Sequence, residues 1–491
     1  MRHPHLIQIV IDDLGWADLG CYGSSFYDTP NLDRLAARGV RFTDAYASCP
    51  VCSPTRASLM TGRYPARVGI TNYIRGNAWG RLMGVPYFDR LPKTERTVAQ
   101  LLGEAGYRTA HVGKWHLGGA GYWPNDFGFD VNVGGCDMGC PSTYFSPYDI
   151  PTLPDGPAGE YLTDRLTGEA LAIVAEHAPG GPRAATPLFL NLWHYAVHTP
   201  IQAPPALVEK YEARARERGL DPAAALVEGE AFSCLHKKDE RIVRRTVQSD
   251  PAYAAMVENL DTNLGRLFDA LEASGMWDDC LVLFTSDNGG LSTAEGSPTC
   301  NAPLSEGKGW MTDGGNRVCL IAAGGAVAAG MVCPTPVTSP DLMTTLLDAA
   351  GLTPPTDVEI DGRSFLPLLR GETMERGPIF WHYPHYSNQG GTPSAAVRDG
   401  DFKLTETFED SRLQLFDVRR DPGETHDLSE TRPELRDRLH ASLRAWSASI
   451  EAVTPPVNPY HDDMRTGRRP CADGLGRVPG DDRLSVTAVA P

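Results

Sequence analysis

Over residues 1–375, short apolar runs alternate with segments that have the periodicity of helices. Residues 252–273 carry apolar side chains at helical spacing and predict the longest helix, while Thr29, followed by a proline, is expected to cap a shorter one. The clearest runs with the composition of buried strands are residues 6–11, 188–193 and 280–285. This alternation predicts an α/β fold in which helices flank a large, mostly parallel sheet.

After residue 375 the pattern changes to one typical of a smaller α+β unit. Residues 395–404 predict a hairpin with a glycine-containing turn, residues 413–418 alternate like a strand, and residues 432–450 are helical. The end of the chain is rich in proline, glycine and aspartate and is expected to extend over the surface. We therefore predict a large domain, a small α+β subdomain with an antiparallel sheet, and a tail, over residues 1–375, 376–453 and 454–491 respectively.

Two stretches interrupt the regular pattern and are interpreted as insertions. Residues 180–185 contain glycine, proline and alanine and predict a surface loop. Residues 228–250 mix charges with little periodicity. The simplest reading of this second stretch is a solvated face, and the alternative is a loop at the rim of a substrate site.

Charge and hydropathy exclude several classes of partner. The 491 residues carry a formal net charge of −17, which argues against nucleic acid or any polyanion held on a broad basic surface. The longest uncharged stretch, residues 318–332, is short and broken by glycines, so no membrane partner is expected. No signal peptide is visible, so the protein is expected to be cytoplasmic if the chain is full length and exported otherwise. The oligomeric state is left open.

The eleven cysteines show no paired spacing. Cys136 and Cys140, four residues apart, are the one hint of a disulfide or a metal pair. Zinc is disfavoured because no second cysteine or histidine pair stands at ligand spacing.

Acidic residues follow two of the predicted strands directly. Asp12 and Asp13 come after residues 6–11, and Asp287 and Asn288 follow the strand near residue 285. Because the carboxyl ends of parallel strands line one crevice, three carboxylates and one amide are expected to meet there. Such a group needs a cation, and oxygen donors suit calcium or magnesium. A turn or a helix cap is the alternative for either pair alone.

Further motifs place cationic side chains near strand ends. Lys114 and His116 lie two residues apart after an apolar run and would project to one face of extended chain. His198 follows another predicted strand, with His194 expected one helical turn earlier, and Lys308 lies in a glycine-rich loop. A buried, satisfied imidazole or a solvated amine is the alternative for each residue taken alone.

The most specific motif is at residues 52–56, Cys-Ser-Pro-Thr-Arg, which continues into Ala-Ser-Leu-Met-Thr-Gly-Arg. A buried cysteine at a helix start is the alternative for Cys52 alone. With the preceding motifs, and with Ile-Asp-Gly-Arg-Ser-Phe at residues 360–365, this order resembles the type I, formylglycine-dependent sulfatases of the alkaline phosphatase superfamily. Arylsulfatases and N-acetylgalactosamine sulfatases are the branches that it resembles. The resemblance extends over nearly the whole chain.

The resemblance implies an alkaline phosphatase-like fold and a specific site. A maturing enzyme would convert Cys52 to Cα-formylglycine, whose hydrate attacks sulfur and whose second hydroxyl is held by Arg56. Lys114 and Lys308 would take up charge on the sulfate oxygens, His198 would protonate the departing alkoxide, and His116 would remove the last hydroxyl proton. The ligands of a calcium ion, with magnesium possible, would be Asp12, Asp13, Cys52 in its oxidised form, Asp287 and Asn288.

The expected activity is hydrolysis of sulfate monoesters. Residues 64–71 resemble the corresponding run in carbohydrate sulfatases, which favours a sulfated galactose or N-acetylgalactosamine over an aryl ester. Two alternatives remain: a phosphonate monoester or phosphodiester hydrolase of the same superfamily, and a carbohydrate-binding relative without catalysis. The candidate residues at the pocket rim are Tyr73, Arg75, Trp79, Arg81, His382 and His385.

Overall fold

The computed structural model describes residues 3–466. Its large sheet has nine strands in the order β10-β2-β9-β8-β1-β5-β3-β4, with β11 paired to β2. Strand β9 runs antiparallel to both of its neighbours, and the other pairs in this sheet are parallel. The strands are β1 His5–Ile11, β2 Gly39–Tyr46, β3 Arg108–Gly113, β4 Val131–Val133, β5 Leu188–His194, β8 Cys280–Ser286, β9 Arg317–Gly324, β10 Met331–Cys333 and β11 Val337–Thr338.

Helices cover both faces of this sheet because its central strands are apolar on both faces. In β1, Ile7, Ile9 and Ile11 pack in one core with α1, α5, α6 and α7, while Leu6 and Val10 pack in the other with α2, α4, α9 and α10. The helices are α1 Pro30–Ala37, α2 Cys52–Thr61, α3 Pro65–Val68, α4 Val98–Glu104, α5 Leu162–His177, α6 Pro205–Glu217, α7 Pro251–Ala273, α8 Asp313–Asn316, α9 Ser339–Ala349 and α10 Leu366–Leu369. The α/β class predicted from the hydrophobic pattern is confirmed.

A second, antiparallel sheet follows in the C-terminal part of the chain. Its strands are β12 Ile379–Tyr383, β13 Ser394–Asp399, β14 Phe402–Thr407 and β15 Arg412–Asp417, in that spatial order. Helix α11, Pro433–Ser449, covers one face through Leu439 and Leu443, which pack against Val397. On the opposite face Ala396 packs with Cys49 and Val51, directly before α2. The small sheet therefore supports the start of α2 from behind.

Two regions differ from the sequence expectation. The charged insertion forms a hairpin, β6 Leu226–Ala231 with β7 Arg241–Arg245, in place of an irregular loop. The polar sequence does not reveal the hairpin, because its strands carry little alternation of polar and apolar residues. Phe232 and Ile242 pack in a small apolar cluster that is separate from the two large cores. In the tail, residues 454–466 include a short helix, α12 His461–Arg465, and residues 467–491 lie outside the described part.

The cysteines are unpaired in the described part of the chain. All ten of them, including Cys136 and Cys140, are free thiols, so the suggested disulfide is wrong. Cys136 is buried beside the Tyr195 hydroxyl, whereas Cys140 is exposed. Within residues 3–466, the structure has no helix with the length and apolar character needed to span a bilayer.

Candidate active site

The two acidic pairs leave neighbouring strands at the same edge of the large sheet. Ile11, the last residue of β1, lies opposite Ser286, the last residue of β8, in the parallel register. Asp12 and Asp287 therefore emerge side by side, and both are fully buried. The backbone N–H of Asp13 donates to Asp287 Oδ1 at 3.2 Å. The structure thus brings together the carboxylates that the sequence assigned to a cation.

The surroundings shift the pKa values of Asp287 and Asp13 in opposite directions. Burial raises the pKa of Asp287 to about 6, although the Arg56 guanidinium opposes this. For Asp13 burial also acts to raise the pKa, but the Lys308 ammonium and the nearby imidazole outweigh it and hold the pKa below its usual range. Acidic groups this close need compensating cations, and the site supplies them.

Asn288 completes the acidic edge, and its side-chain oxygen is the atom that best indicates a ligand-binding position there. Its Nδ2 donates to Asp13 Oδ1 at 2.8 Å and to the carbonyl of Gly289 at 3.0 Å. Its Oδ1 is buried and has no hydrogen-bond partner among the described residues. A buried amide oxygen without a partner is costly unless a cation or a water occupies the adjoining space.

Cys52 is the first residue of α2 and lies against this edge. Val51 before it is extended, which turns the Cys52 side chain toward the strand ends, and the residue is only 3% exposed. Its Sγ lies 3.6 Å from Asp12 Oδ1. Burial raises the pKa of the thiol to about 12, even though two lysine ammonium groups act to lower it. The encoded side chain is therefore a neutral thiol, which is a poor nucleophile.

Arg56 lies one helical turn beyond Cys52 and faces the same edge. Its Nε donates to Asp287 Oδ2 at 2.9 Å, and its Nη2 lies 3.5 Å from Asp12 Oδ1. Its Nη1 donates to the backbone carbonyl of Lys114 at 3.0 Å, and the guanidinium lies over the ring of Trp193. The guanidinium is thus fixed in position by contacts on every side and is fully buried.

Two lysines bring positive charge to the two aspartates. Lys114 Nζ donates to Asp12 Oδ2 at 2.6 Å, and Lys308 Nζ donates to Asp13 Oδ2 at 2.8 Å. Both ammonium groups are buried, and the pKa of each is raised because the neighbouring carboxylates outweigh the opposing effect of burial. They remain charged and are available to bind an anion beside Cys52.

The His198 imidazole accepts a hydrogen bond from Lys308. Its Nδ1 lies 2.9 Å from the carbonyl oxygen of Thr199, to which it can only donate. Its Nε2, 2.9 Å from Lys308 Nζ, therefore accepts from the ammonium. Burial, and then the Lys308 charge, lower the pKa of His198 to about 4. His194 does not precede it by a helical turn, as expected, but is the buried last residue of β5.

His116 approaches the site from the segment after β3. Its backbone has a φ of 57°, in the left-handed region, and its N–H donates to the carbonyl of Cys136 at 2.9 Å. The ring packs against Gly139, where a Cβ would lie 2.8 Å from His116 Cε1. Burial, and then the Lys114 charge, hold the pKa of His116 well below its usual range, so the imidazole is neutral.

The donor set fits a divalent cation. Asp12, Asp13, Cys52 and His198 each offer a ligand atom, and these atoms lie within 4.8 Å of one another. The Asn288 oxygen without a partner adds an amide donor at the same edge. The aspartate and amide oxygens of this group are hard donors that suit calcium or magnesium, whereas the Cys52 sulfur and the His198 nitrogen are softer donors. His198 was not expected among the potential ligands, and Asp287 is bonded to Arg56 in this arrangement.

A buried ionic cluster, which the sequence did not predict, supports the loop that carries Lys308. The Gly309 N–H donates to the carbonyl of Pro50 at 2.8 Å, which ties this loop to the chain just before Cys52. Farther along, Asp313 Oδ1 accepts from Lys403 Nζ at 2.9 Å. Glu424 accepts from the Asp313 N–H at 2.6 Å and lies 3.0 Å from the same ammonium. Lys403, on β14, and Glu424 both belong to the C-terminal part of the chain.

The predicted rim residues fall into two groups. The Tyr73 hydroxyl accepts from Asn388 Nδ2 at 2.5 Å, and the exposed Arg75 pairs with Asp137. His382 and His385 are instead buried, and their Nε2 atoms hydrogen-bond to the carbonyl of Val453 and the hydroxyl of Thr71.

The insertion hairpin lies next to the remaining rim candidates. The Leu235 N–H, between β6 and β7, donates to the carbonyl of Trp79 at 2.7 Å, and the Asn458 N–H donates to the carbonyl of Arg81 at 2.8 Å. His236, in the same connection, hydrogen-bonds to Asn388 at 2.8 Å. The insertion therefore contacts the same residues that adjoin Tyr73.

The fold and the site together define a class of protein. Three carboxylates at the carboxyl ends of neighbouring strands, with a helix N-terminal residue and two buried lysines beside them, can hold a cation and an anionic group together. This is the arrangement of a hydrolase of charged esters whose α/β architecture is alkaline phosphatase-like.

Comparison with known proteins identifies the family. The Sulfatase family profile matches residues 4–352, and a profile described as N-sulphoglucosamine sulphohydrolase, C-terminal, matches residues 307–448. The chain is 31% identical to N-acetylgalactosamine-6-sulfatase of Homo sapiens, over 92% of this chain and 86% of that protein. It is 32% identical to steryl-sulfatase of Mus musculus, over 94% of this chain and 84% of that protein. The chain belongs to the sulfatase family and is a sulfuric ester hydrolase.

Solved structures show the same architecture. The crystal structure of Ps i-CgsB in complex with k-i-k-neocarrahexaose superposes with a TM-score of 0.72 at 28% identity, covering 94% of this chain and 97% of that one. A phosphonate monoester hydrolase of Agrobacterium radiobacter superposes with a TM-score of 0.61 at 21% identity, covering 93% and 99%, which shows a shared fold alone. The resemblance inferred from the motifs is confirmed at the level of family and fold.

Proposed function

We propose that the protein hydrolyses sulfate monoesters on a sulfated carbohydrate of the galactose or N-acetylgalactosamine type. The proposed site contains a formylglycine at position 52 and a bound calcium ion, with magnesium as the alternative. The carbohydrate assignment is supported by similarity to N-acetylgalactosamine-6-sulfatase and to Ps i-CgsB, which was crystallised with neocarrahexaose. The steryl-sulfatase of Mus musculus, at similar identity, makes a sterol ester the competing substrate class.

The observation that carries the proposal is the environment of Cys52. The thiol is buried and neutral, yet it lies among the charged side chains of Asp12, Arg56 and Lys114. An inert core cysteine would need no such charged neighbours. Hydration of an aldehyde at this position would supply a nucleophilic oxygen and a second hydroxyl on one carbon, which no encoded side chain offers. The residues around position 52 would then orient that group and stabilise the charge that develops on sulfate.

The cationic side chains would bind the sulfate group before reaction. Lys114 and Lys308 are each bonded to one of the two aspartates, and each would exchange part of that contact for a sulfate oxygen. Arg56 would hold a hydroxyl at position 52 while remaining bonded to Asp287. The cation would be held by Asp12, Asp13, Asp287 and Asn288 together with the oxygen at position 52, and would polarise that oxygen.

The two histidines would handle protons at opposite ends of the reaction. His198 Nε2 accepts from the Lys308 ammonium, so the proton between them belongs to Lys308 and would reach a leaving alkoxide from that ammonium by way of His198. That proton would pass to the alkoxide oxygen. His116 is neutral and has a buried Nδ1 without a partner among the described residues, which suits it to remove the proton of the remaining hydroxyl at position 52.

The decisive experiment combines intact-mass analysis with kinetics. Protein co-expressed with a formylglycine-generating enzyme is expected to show the mass of the aldehyde at position 52 and to release sulfate from nitrophenyl sulfate and from sulfated galactose or N-acetylgalactosamine. The Cys52→Ala variant is the control and is expected to lose most activity. Full activity in protein that retains the thiol would refute the proposed nucleophile.

Two other outcomes would replace the proposed activity. Faster turnover of nitrophenyl phosphate diesters or phosphonate monoesters than of nitrophenyl sulfate would indicate the superfamily's other chemistry. Calorimetric binding of sulfated saccharides without any turnover by aldehyde-containing protein would indicate a binding protein. Faster hydrolysis of a steryl sulfate than of every sulfated saccharide would retain the reaction and overturn the substrate class.

A further inference from the structure

An ion pair bridges two segments that flank the proposed catalytic position. Arg75 Nη2 lies 2.5 Å from Asp137 Oδ2. The Arg75 side chain is 78% exposed, and that of Asp137 is 26% exposed. The two residues are far apart in sequence and lie on segments that reach the site separately, one beside Cys52 and the other beside His116.

The Arg75 segment is attached directly to the residue after Cys52. The backbone N–H of Ile74 donates to Ser53 Oγ at 3.1 Å, and both groups are buried. Tyr73, on the other side of Ile74, packs with the apolar cluster behind the start of α2. Arg75 therefore extends into solvent from the wall that adjoins position 52.

The Asp137 segment is attached to the proposed base. The carbonyl of Cys136, the preceding residue, accepts from the His116 N–H at 2.9 Å. Gly139, two residues beyond Asp137, lies against the His116 ring. Asp137 thus belongs to the segment that contacts His116, so the ion pair joins the segment beside Cys52 to the segment beside His116.

The backbone of Arg75 is held in a conformation that a residue with a Cβ rarely adopts. Its φ is 70°, in the left-handed region, where glycine or asparagine is the common choice. The Gly76 N–H donates to the carbonyl of Tyr73 at 2.8 Å, and the Tyr87 hydroxyl donates to the same carbonyl at 3.1 Å and to that of Gly76. The turn is therefore fixed, and a long cation is kept where a glycine would fit better. Such strain is characteristic of functional positions.

We propose that Arg75 is a specificity-determining residue that exchanges Asp137 for a second anionic group on the saccharide substrate. This inference rests on the proposed function and adds the requirement for a doubly charged substrate. An exposed ion pair contributes little net free energy, so opening it is inexpensive. The exposed guanidinium then binds a sulfate or carboxylate in bidentate fashion, while the first sulfate occupies the lysines below. Without Arg75, the Asp137 carboxylate beside the His116 segment would lose its cation and would repel such a substrate.

The test compares singly and doubly anionic saccharides. Binding is measured by calorimetry in the non-hydrolysing Cys52→Ala background, with a monosulfated disaccharide, a disulfated disaccharide and a monosulfated disaccharide that contains a uronic acid. Adding Arg75→Ala is expected to weaken binding of the two doubly anionic probes about tenfold to a hundredfold, and that of the monosulfated probe less than about twofold. Arg75→Lys should recover part of the loss, and Asp137→Asn should tighten binding of the doubly anionic probes.

The comparison of probes distinguishes specificity from structure. Equal weakening of all three probes by Arg75→Ala would assign Arg75 a structural role and overturn the inference, as would Asp137→Asn weakening the doubly anionic probes. Loss for only one of the two doubly anionic probes identifies sulfate or carboxylate as the group bound. Arg420→Ala, which removes an equally exposed arginine from the small sheet, is the matched control and should leave all affinities unchanged. Turnover of nitrophenyl sulfate by the enzyme with position 52 intact reports separately on the proposed function.

Discussion

At the scale of single residues, the site is a balance of buried charges in which each anion has its own cation. Asp12 is bonded to Lys114, Asp13 to Lys308, and Asp287 to Arg56. Each cation is thus compensated in the resting protein and is positioned where a sulfate oxygen could share it. A bound divalent cation would compensate the aspartates in place of the lysines, and the two ammonium groups could then bind the substrate.

The lysines should therefore affect both activity and stability. We expect Lys308→Met and Lys114→Met each to lower kcat by about 10²- to 10³-fold, since each removes one charge-stabilising group. Without calcium, either change leaves a buried carboxylate uncompensated and should reduce the free energy of unfolding by about 3–5 kcal/mol. Kinetics and thermal melting with and without calcium measure both effects. A loss of activity with no calcium-dependent loss of stability would contradict this account of the charges.

At the scale of elements, the loop from Ser305 to Asn316 lies between β8 and β9 of the large sheet and is bonded to the small sheet. It carries Lys308 at one end and Asp313 at the other, and Lys403 on β14 binds Asp313 from the small sheet. Lys403 also donates to the carbonyl of Met311 at 2.8 Å. The small sheet thus fixes a loop of the active site without contributing a residue to the chemistry.

Removal of this support should be felt at the site. We expect Lys403→Met to reduce the free energy of unfolding by about 3–5 kcal/mol, because Glu424 would lose its cation and Asp313 would keep only the more distant Arg317, at 3.6 Å, as its nearest cation. It should also lower kcat by loosening Lys308. The double variant with Asp313→Asn should recover part of both losses. Denaturant unfolding and steady-state kinetics measure these effects, and an unchanged kcat in the single variant would show that the loop needs no such support.

Glu424 predicts a pH dependence of stability. Burial raises its pKa to about 7, although Lys403 opposes this, so the folded protein binds a proton that the unfolded chain releases near its ordinary value. Stability from this group is fully present below about pH 4.5 and is lost as pH rises through about 7, up to about 3 kcal/mol in all. Glu424→Gln should remove this decline. Urea unfolding between pH 5 and pH 8 compares the two proteins, and parallel pH profiles would exclude the assignment.

Many of the elements could be predicted from local patterns, and each prediction that failed has an identifiable cause. The buried strands around residues 6–11, 188–193 and 280–285 are long apolar runs, and all three are strands in the structure. Thr29 does precede α1, but its hydroxyl accepts from the Gly20 N–H at 2.8 Å in place of capping the helix. A tertiary contact of this kind leaves no trace in the helix sequence. The polar hairpin β6–β7 was missed for a different reason, since pairing of backbones requires no alternation of apolar residues.

At the scale of the whole molecule, the gathering of the acidic pairs followed from one rule and the rest of the site did not. Residues that follow parallel strands meet at one edge, so Asp12 and Asp287 could be placed together from sequence position. Arg75 and Asp137, by contrast, lie on loops whose meeting depends on how both pack on the sheet. Their pairing, like that of Asp313 with Lys403, has no spacing that a single sequence reveals.

The cation should stabilise the entire protein. If it binds the folded state alone, calcium at about 100 to 1,000 times its dissociation constant adds about 3–4 kcal/mol to the free energy of unfolding. Treatment with a chelator is expected to lower Tm and abolish activity, and calcium should restore both. Asn288→Ala should lower the Tm of the chelated protein, because it removes two buried hydrogen bonds, and should in addition weaken the calcium concentration dependence of Tm. A Tm that is indifferent to chelator would argue against the cation site.

The burial of Cys52 has a consequence for how an active molecule is made. A residue that is 3% exposed, at the start of α2 and against the buried Asp12, offers no access to a second enzyme once both sheets have formed. If the cysteine is oxidised, the event must precede completion of the tertiary structure, in a nascent or newly delivered polypeptide. Each molecule would then have a single opportunity for maturation, and those that fold too soon would remain permanently inactive.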